Sequence, residues 1–293
     1  MSHILRVSLL AGLVLGGPIF AGGGAPISPD TEPPRISVSD SKTDADGFRV
    51  HTVTSEFQSG ETAIRLLVPE GLKPGERVPV VYVLPVEARD ESRYGIGLRE
   101  VKTHALHTKY RAIFVAPTFT HLPWYADHPT DPEIRQESYF LQVVVPFVER
   151  TYPVKSERAG RLLLGFSKSG FGAVALLLRH PDLFAKATVW DAPLMMEKPG
   201  AYGSGAIFGT QDNFDRYRLD RLFASVTELG PTKRLFLSGS ANFRDHHDRA
   251  HAQLDRLKIP HEFATDGPAR KHDWHSGWVG PAVAWLLTPG DPR

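Results

Sequence analysis

Six short apolar runs, each closed off by turn residues, recur from residue 78 onward: Val78 to Leu84, Arg111 to Pro117, Arg161 to Phe166, Ala187 to Trp190, Arg234 to Ser238 and His261 to Thr265. Unbroken apolar runs of this length are typical of strands buried on both faces. Helical patterns lie between them. EIRQESYFLQVVVPFVERTY precedes the third run, GFGAVALLLRH follows it, DHHDRAHAQLDRLK follows the fifth, and VGPAVAWLL lies near the end of the chain. Strands alternating with helices predict an α/β domain whose mostly parallel sheet carries helices on both faces. Ahead of this pattern, FRVHTVTSEF and TAIRLLVP flank the turn QSGE and predict an N-terminal antiparallel hairpin.

The beginning of the chain reads differently. MSHILRVSLLAGLVLGGPIFAGGGAP has one basic residue, Arg6, an apolar stretch from Val7 to Phe20 and a run of small residues around Ala21. This is the pattern of a secretory signal peptide over residues 1–21. Its apolar run is shorter than the roughly 18 residues of a spanning helix. Cleavage, a secreted or periplasmic location and no stable membrane insertion afterwards are the expectation. Residues 22–46, rich in Pro, Ser and Asp, are expected to be a linker, and 47–293 the folded domain.

Composition narrows the chemistry. With 34 Lys plus Arg against 33 Asp plus Glu, nothing favours nucleic acid or an anionic membrane as a partner. The absence of cysteine excludes disulfides, a thiol nucleophile and lipid attachment through a thiol.

The third run hands over to its helix through Gly165, Phe166, Ser167 and Lys168. A sharp turn there would present the Ser167 side chain at the carboxyl edge of the sheet, where open parallel sheets place their chemistry. Ser169 occupies the second glycine position of G-x-S-x-G and weakens the motif. As an alternative nucleophile Ser169 would be followed two residues later by Phe171, which fits a tight elbow poorly. The same residues suit a helix cap, and the motif alone does not separate the two uses.

A serine hydroxyl needs a base, and the base an acid, in the chain order serine, acid, histidine. DGPARKHDWHSGWVGP offers His272 and His275. Asp245 in SGSANFRDHHDR and Asp191 in VWDAP compete as the acid. Helix capping and a turn before Ala-Pro are their ordinary uses. Position favours Asp245, since an acid after the later strand reaches a neighbouring histidine loop more directly; Asp191 is the alternative.

GFSKSGFGA, FRDHHDRAH, IPHEF, HDWHSGW and PFVERTYPV together resemble the α/β-hydrolase proteins of the esterase D or putative-esterase type, related to feruloyl esterases and bacterial mycolyltransferases. The resemblance spans roughly residues 48 to 290 and rests mainly on the elbow and the H-x-W pair. It implies an α/β-hydrolase fold and selects His272, because the base of that family precedes the tryptophan by two. Family members usually carry a His-Gly pair after the early central strand; here the strand ends VYVLPVEARDESRYG. Pro85 has no N–H, so the oxyanion donors implied are the backbone of Val86 or Glu87 and that of Lys168. The acid position of the family, three residues after Gly239, holds Asn242, which leaves Asp245 to supply the charge.

The Lys168 side chain is expected to be solvated. Trp124 and Tyr125, in a loop after the second run, and Trp274 beside the base are candidate contacts for a ring-shaped or sugar-bearing substrate, with turn packing the commoner use of loop aromatics. His247 and His251, four apart on a predicted helix, have a spacing that suits two metal ligands, but H-E-x-x-H is absent and packing is the preferred reading. No metal or other cofactor is expected.

The reading is an exported serine esterase acting on a small-molecule or carbohydrate-linked ester through Ser167, His272 and Asp245. An acyltransferase would use the same acyl-enzyme. A catalytically silent hydrolase fold that binds a ligand is the rival from another class. Oligomeric state is not legible.

Overall fold

The computed structural model describes residues 35–226, 229–239, 241–264 and 270–288, so the expected signal segment lies outside the described residues. Ten strands form one sheet: β1 (Ile36–Val38), β2 (Lys42–Thr43), β3 (Arg49–Ser55), β4 (Thr62–Leu67), β5 (Val80–Val83), β6 (Ile113–Pro117), β7 (Arg161–Phe166), β8 (Lys186–Trp190), β9 (Leu235–Ser238) and β10 (His261–Ala264). Their order is β1-β3-β4-β6-β5-β7-β8-β9-β10, with β2 pairing to β3. β3 and β4 form the predicted antiparallel hairpin, and every pair from β6 to β10 is parallel.

Residues 36–43 depart from the linker expectation. Ile36 pairs with Ser55 and Val38 with Val53, and the Ser39 hydroxyl accepts the Thr52 N–H at 2.9 Å. An edge strand is held by backbone groups, which a polar sequence carries as well as an apolar one.

The central strands are mainly apolar because helices cover both faces of the sheet. Along β5, Val80 and Tyr82 enter one apolar cluster with Ile113, Val115 and Leu163, under the helix Ser167–Arg179. Val81 and Val83 enter a second cluster with Phe114, Leu162 and Leu164, under the helices Gly97–Thr103 and Val279–Leu287. This is the two-residue alternation of a pleated strand. The helix expected before β7 runs as Gln136–Tyr139, a π-helical turn Phe140–Val144 and Val145–Thr151. Between β8 and β9 lie three short helices that the apolar pattern did not announce, Gly205–Phe208, Gln211–Asp215 and Leu219–Ser225.

Register sets up the site. Phe166 lies beside Trp190, Trp190 beside Ser238, and Ser238 beside Ala264. The strands therefore end in one row at the carboxyl edge, and the residues that follow them open onto a common surface.

Candidate active site

Ser167 follows the last residue of β7 and begins the helix Ser167–Arg179 with φ near +52°. A non-glycine residue in the left-handed region is strained, and the surrounding packing has to hold it there. Gly165 makes the turn possible: a Cβ there would stand 2.4 Å from the Ser169 carbonyl oxygen. The close approach of helix to sheet falls on Gly170, where a Cβ would lie 2.8 Å from Ala192 Cβ and 3.1 Å from Val189 Cγ2. Ser169 thus does not weaken the elbow. Fully buried, its hydroxyl accepts the Phe166 N–H at 3.0 Å and donates to the Phe166 carbonyl at 2.9 Å, clasping the residue before Ser167.

Ser167 Oγ lies 3.2 Å from His272 Nε2, and His272 Nδ1 lies 2.6 Å from Asp191 Oδ2. The imidazole is framed by the rings of Phe166, Tyr94 and Phe243 at centroid distances of 4.5, 5.3 and 5.5 Å.

Asp191 is fully buried at the end of β8 and is itself left-handed, with φ near +41°. Gly239, at the end of β9, lets the chains close on it, since a Cβ there would lie 2.5 Å from the Asp191 nitrogen. The Asn242 N–H reaches both carboxylate oxygens, at 3.0 and 2.9 Å, and the Phe243 N–H reaches Oδ1 at 2.9 Å. Burial by itself would raise the pKa of this carboxyl. The hydrogen bonds from His272, Asn242 and Phe243 outweigh that and hold it below its ordinary value.

Two histidines hold the loop that carries Asp191. His247 Nε2 accepts the Ala192 N–H at 2.9 Å, and His246 Nδ1 accepts the Met195 N–H at 2.9 Å. Burial pushes His247 down to about 4, with Asp191 pulling it up and His246 down, so it is the neutral acceptor that the contact needs.

The sequence model of the family described as "Putative esterase" matches residues 55–218, which include Ser167 and Asp191. The chain belongs to this family. Esterase MT1326 of Mycobacterium tuberculosis (strain CDC 1551 / Oshkosh) is 23% identical over 241 residues, covering 68% of this chain and 50% of that protein. The chain spans about half the length of the curated relatives it matches. Among solved structures, a ferulic acid esterase superposes with a TM-score of 0.62 at 19% identity, covering 85% of this chain and 97% of that one. An S-formylglutathione hydrolase from Agrobacterium tumefaciens gives a TM-score of 0.66 at 13% identity, covering 85% and 98%. At these identities the likeness is one of fold, and the fold is that of the α/β-hydrolase esterases.

Several expected residues stand elsewhere than the site. Asp245 is not at His272: it sits in the first turn of the helix Arg244–Arg256, 81% exposed and 3.8 Å from Arg249 Nη1. The segment after β9 reaches the site with backbone N–H groups instead of a carboxylate. Asn242 likewise contributes its N–H to Asp191, not its side chain. His275 turns away to Glu100, 2.7 Å from Oε1.

Trp124 and Tyr125 are fully buried and present no face to a substrate. Trp124 packs on Phe171 and Phe208, and Tyr125 on Phe119. The Tyr125 hydroxyl donates to the Pro85 carbonyl at 3.1 Å, which anchors the segment leading to Val86 and Glu87. Trp274, also buried, packs on Phe166 and Trp278 and forms one wall of a cavity of about 260 Å³. Val86 and Glu87 border that cavity; Ser167 does not.

The N–H groups of Val86 and Glu87 meet no acceptor among the described residues. Lys168, in the first turn of its helix, has an N–H without an intrahelical partner. Its side chain, expected in solvent, is 8% exposed, over the Tyr94 ring at 5.8 Å and 3.8 Å from Glu87 Oε1. Burial lowers its pKa, with Glu87 opposing and Arg93 adding to the shift. Tyr94 and Phe243 escaped the sequence reading, because an aromatic in a loop carries no spacing signal of its own; His247 was read as packing on its helix, and its bond to the Ala192 N–H was not legible.

Proposed function

We propose that this chain is a serine esterase in which Ser167 is the nucleophile, His272 the base and Asp191 the orienting acid. The observation that carries the reading is the unbroken line from Ser167 Oγ to His272 at 3.2 Å and from His272 to Asp191 at 2.6 Å. His272 Nε2 takes the hydroxyl proton as Oγ attacks the ester carbonyl, and the Asp191 carboxylate fixes the tautomer and offsets the imidazolium charge. The N–H of Lys168 and that of Val86 or Glu87 receive the oxyanion. His272 returns the proton to the leaving alcohol, and water then releases the acid by the same steps.

The clasp made by Ser169 and the N–H given by Asn242 support a competent site over a silent binding fold, since the two departures from the family pattern become parts of the elbow and of the acid's cradle. A small-molecule or carbohydrate-linked ester is the proposed substrate class. The proposal extends to export, on the strength of residues 1–21. Intact Met1 on the mature chain would contradict that extension.

The test of the activity is turnover of p-nitrophenyl esters of graded acyl length by the full chain. Turnover that falls in Ser167→Ala by on the order of 10⁴-fold or more supports the reading, and turnover unchanged in that variant overturns it. Adding an acceptor alcohol then separates hydrolysis from acyl transfer, because only a transferase yields the new ester.

A further inference from the structure

The helix Arg244–Arg256 carries a second histidine environment, unrelated to Asp191. His251 and, one turn later, Asp255 stand beside His261, the first residue of β10. One ring nitrogen from each histidine and one carboxylate oxygen lie within 4.8 Å of one another. The pair His247 and His251, considered from spacing, does not come together as ligands: His247 faces Ala192, and His251 faces His261.

The hydrogen bonds of this cluster fix its protons. His261 Nδ1 is 2.9 Å from the Ile259 carbonyl, which can only accept, so Nδ1 carries the proton and Nε2 presents a lone pair. That lone pair faces His251 Nδ1 at 2.7 Å. His251 therefore donates from Nδ1, and in the neutral ring its Nε2 lone pair is left facing Asp255 Oδ2 at 3.4 Å. A lone pair against a carboxylate is repulsive, so the neutral cluster is short of one positive charge. A ring N–H donated to a backbone carbonyl is also the support that metal-ligating histidines ordinarily have. The set is held in place, with the His251 ring stacked on Phe263 at 4.0 Å and 8° and the His261 side chain 4% exposed.

We propose that His251, His261 and Asp255 form a site for a divalent transition-metal ion, with zinc the best match to two imidazoles and a carboxylate. His261 Nε2, His251 Nδ1 and Asp255 Oδ1 are the ligand atoms, and water completes a tetrahedron on the exposed Asp255 side. The His251 proton moves from Nδ1 to Nε2, on the half-exposed side of the ring where water accepts it, and the Asp255 carboxylate leaves that nitrogen for the ion, which removes the repulsion. Nitrogens bound to one tetrahedral zinc stand about 3.3 Å apart, so the two rings separate slightly on binding. His261 aligns with Leu235, three residues before the carboxyl edge of the sheet, so the ion would tie the helix to edge strand β10 well away from Ser167. The proposal stands independently of the esterase reading.

The test uses the full chain without an affinity tag, stripped with a chelator and dialysed, then titrated with zinc in competition with a chromophoric chelator. One zinc per chain is expected, together with a rise in melting temperature. His251→Ala and Asp255→Asn should each weaken binding by about tenfold or more, and His104→Ala, at an exposed histidine just after the helix Gly97–Thr103, should leave it unchanged. Asp255 is exposed, so its variant folds and serves as the cleaner arm. Failure to bind one equivalent, or binding that survives both Asp255→Asn and His251→Ala, would overturn the proposal.

Discussion

Asp191 and Asp245 each follow a parallel strand at the same edge of one sheet, and they end in opposite environments. Asp191 is the first residue after β8, fully buried, with two backbone N–H groups and His272 on its carboxylate. Asp245 lies seven positions beyond the end of β9, inside a helix, with one exposed arginine for company. The difference shows that reach along the chain is a poor guide here. An acid adjoining the row of strand ends needs no side-chain excursion to face its neighbour, whereas the longer segment after β9 curls into a helix. That segment serves the buried charge through N–H groups in the turn before the helix begins.

The largest effect that could break this contrast is on turnover. Asp191→Asn should lower kcat/KM by about 10⁴-fold, because the amide imposes the wrong tautomer on His272. Asp245→Asn should leave it within about twofold. Steady-state kinetics on both variants decide the matter, and a reversed order would return the acid to the later strand.

Next comes pH. The unfolded chain takes up a proton on His247 as pH falls below about 6.5, whereas the folded chain resists until about 4. The stability tied to keeping His247 neutral is complete above pH 6.5 and is lost progressively down to about pH 4, by about 3 kcal/mol. Asp191, whose folded value is depressed, contributes stability that is present above the ordinary carboxylate range and is lost as pH falls through its lower folded value. Urea melts at pH 7 and pH 4.5 should show the His247 loss in the parent chain and a shallower loss in His247→Gln; equal losses would detach the Asp191 loop from this histidine.

The smallest expected effect carries the same contrast to the serines of the elbow. Ser167 adjoins the strand end and Ser169 is the third residue of the helix, making two bonds to Phe166. Ser169→Ala should cost about 1–3 kcal/mol of stability while leaving the nucleophile in place. Denaturant midpoints measure it, and an unchanged midpoint would show that the clasp is idle.

The proposed nucleophile and base were legible because each sits in a local pattern: glycine two before Ser167, and His272 two before a tryptophan. The parallel sheet was legible because burial on both faces leaves unbroken apolar runs. The carboxylate that meets His272 was not, since choosing between Asp191 and Asp245 depends on β8 lying between β7 and β9 with its end in register. Residues 36–43 hid as a linker because edge pairing leaves no apolar signature. Trp124 and Tyr125 looked like a substrate platform for the opposite reason, since an aromatic in a loop reads the same whether it faces solvent or the core.

The most direct measurement is fluorophosphonate labelling of the mature protein with peptide mapping, alongside Ser167→Ala. A tag on Ser167 that disappears in that variant is the predicted result and identifies an activated nucleophile. A folded protein that takes no tag, or carries it on Ser169, would contradict the assignment of Ser167, His272 and Asp191 as the working site.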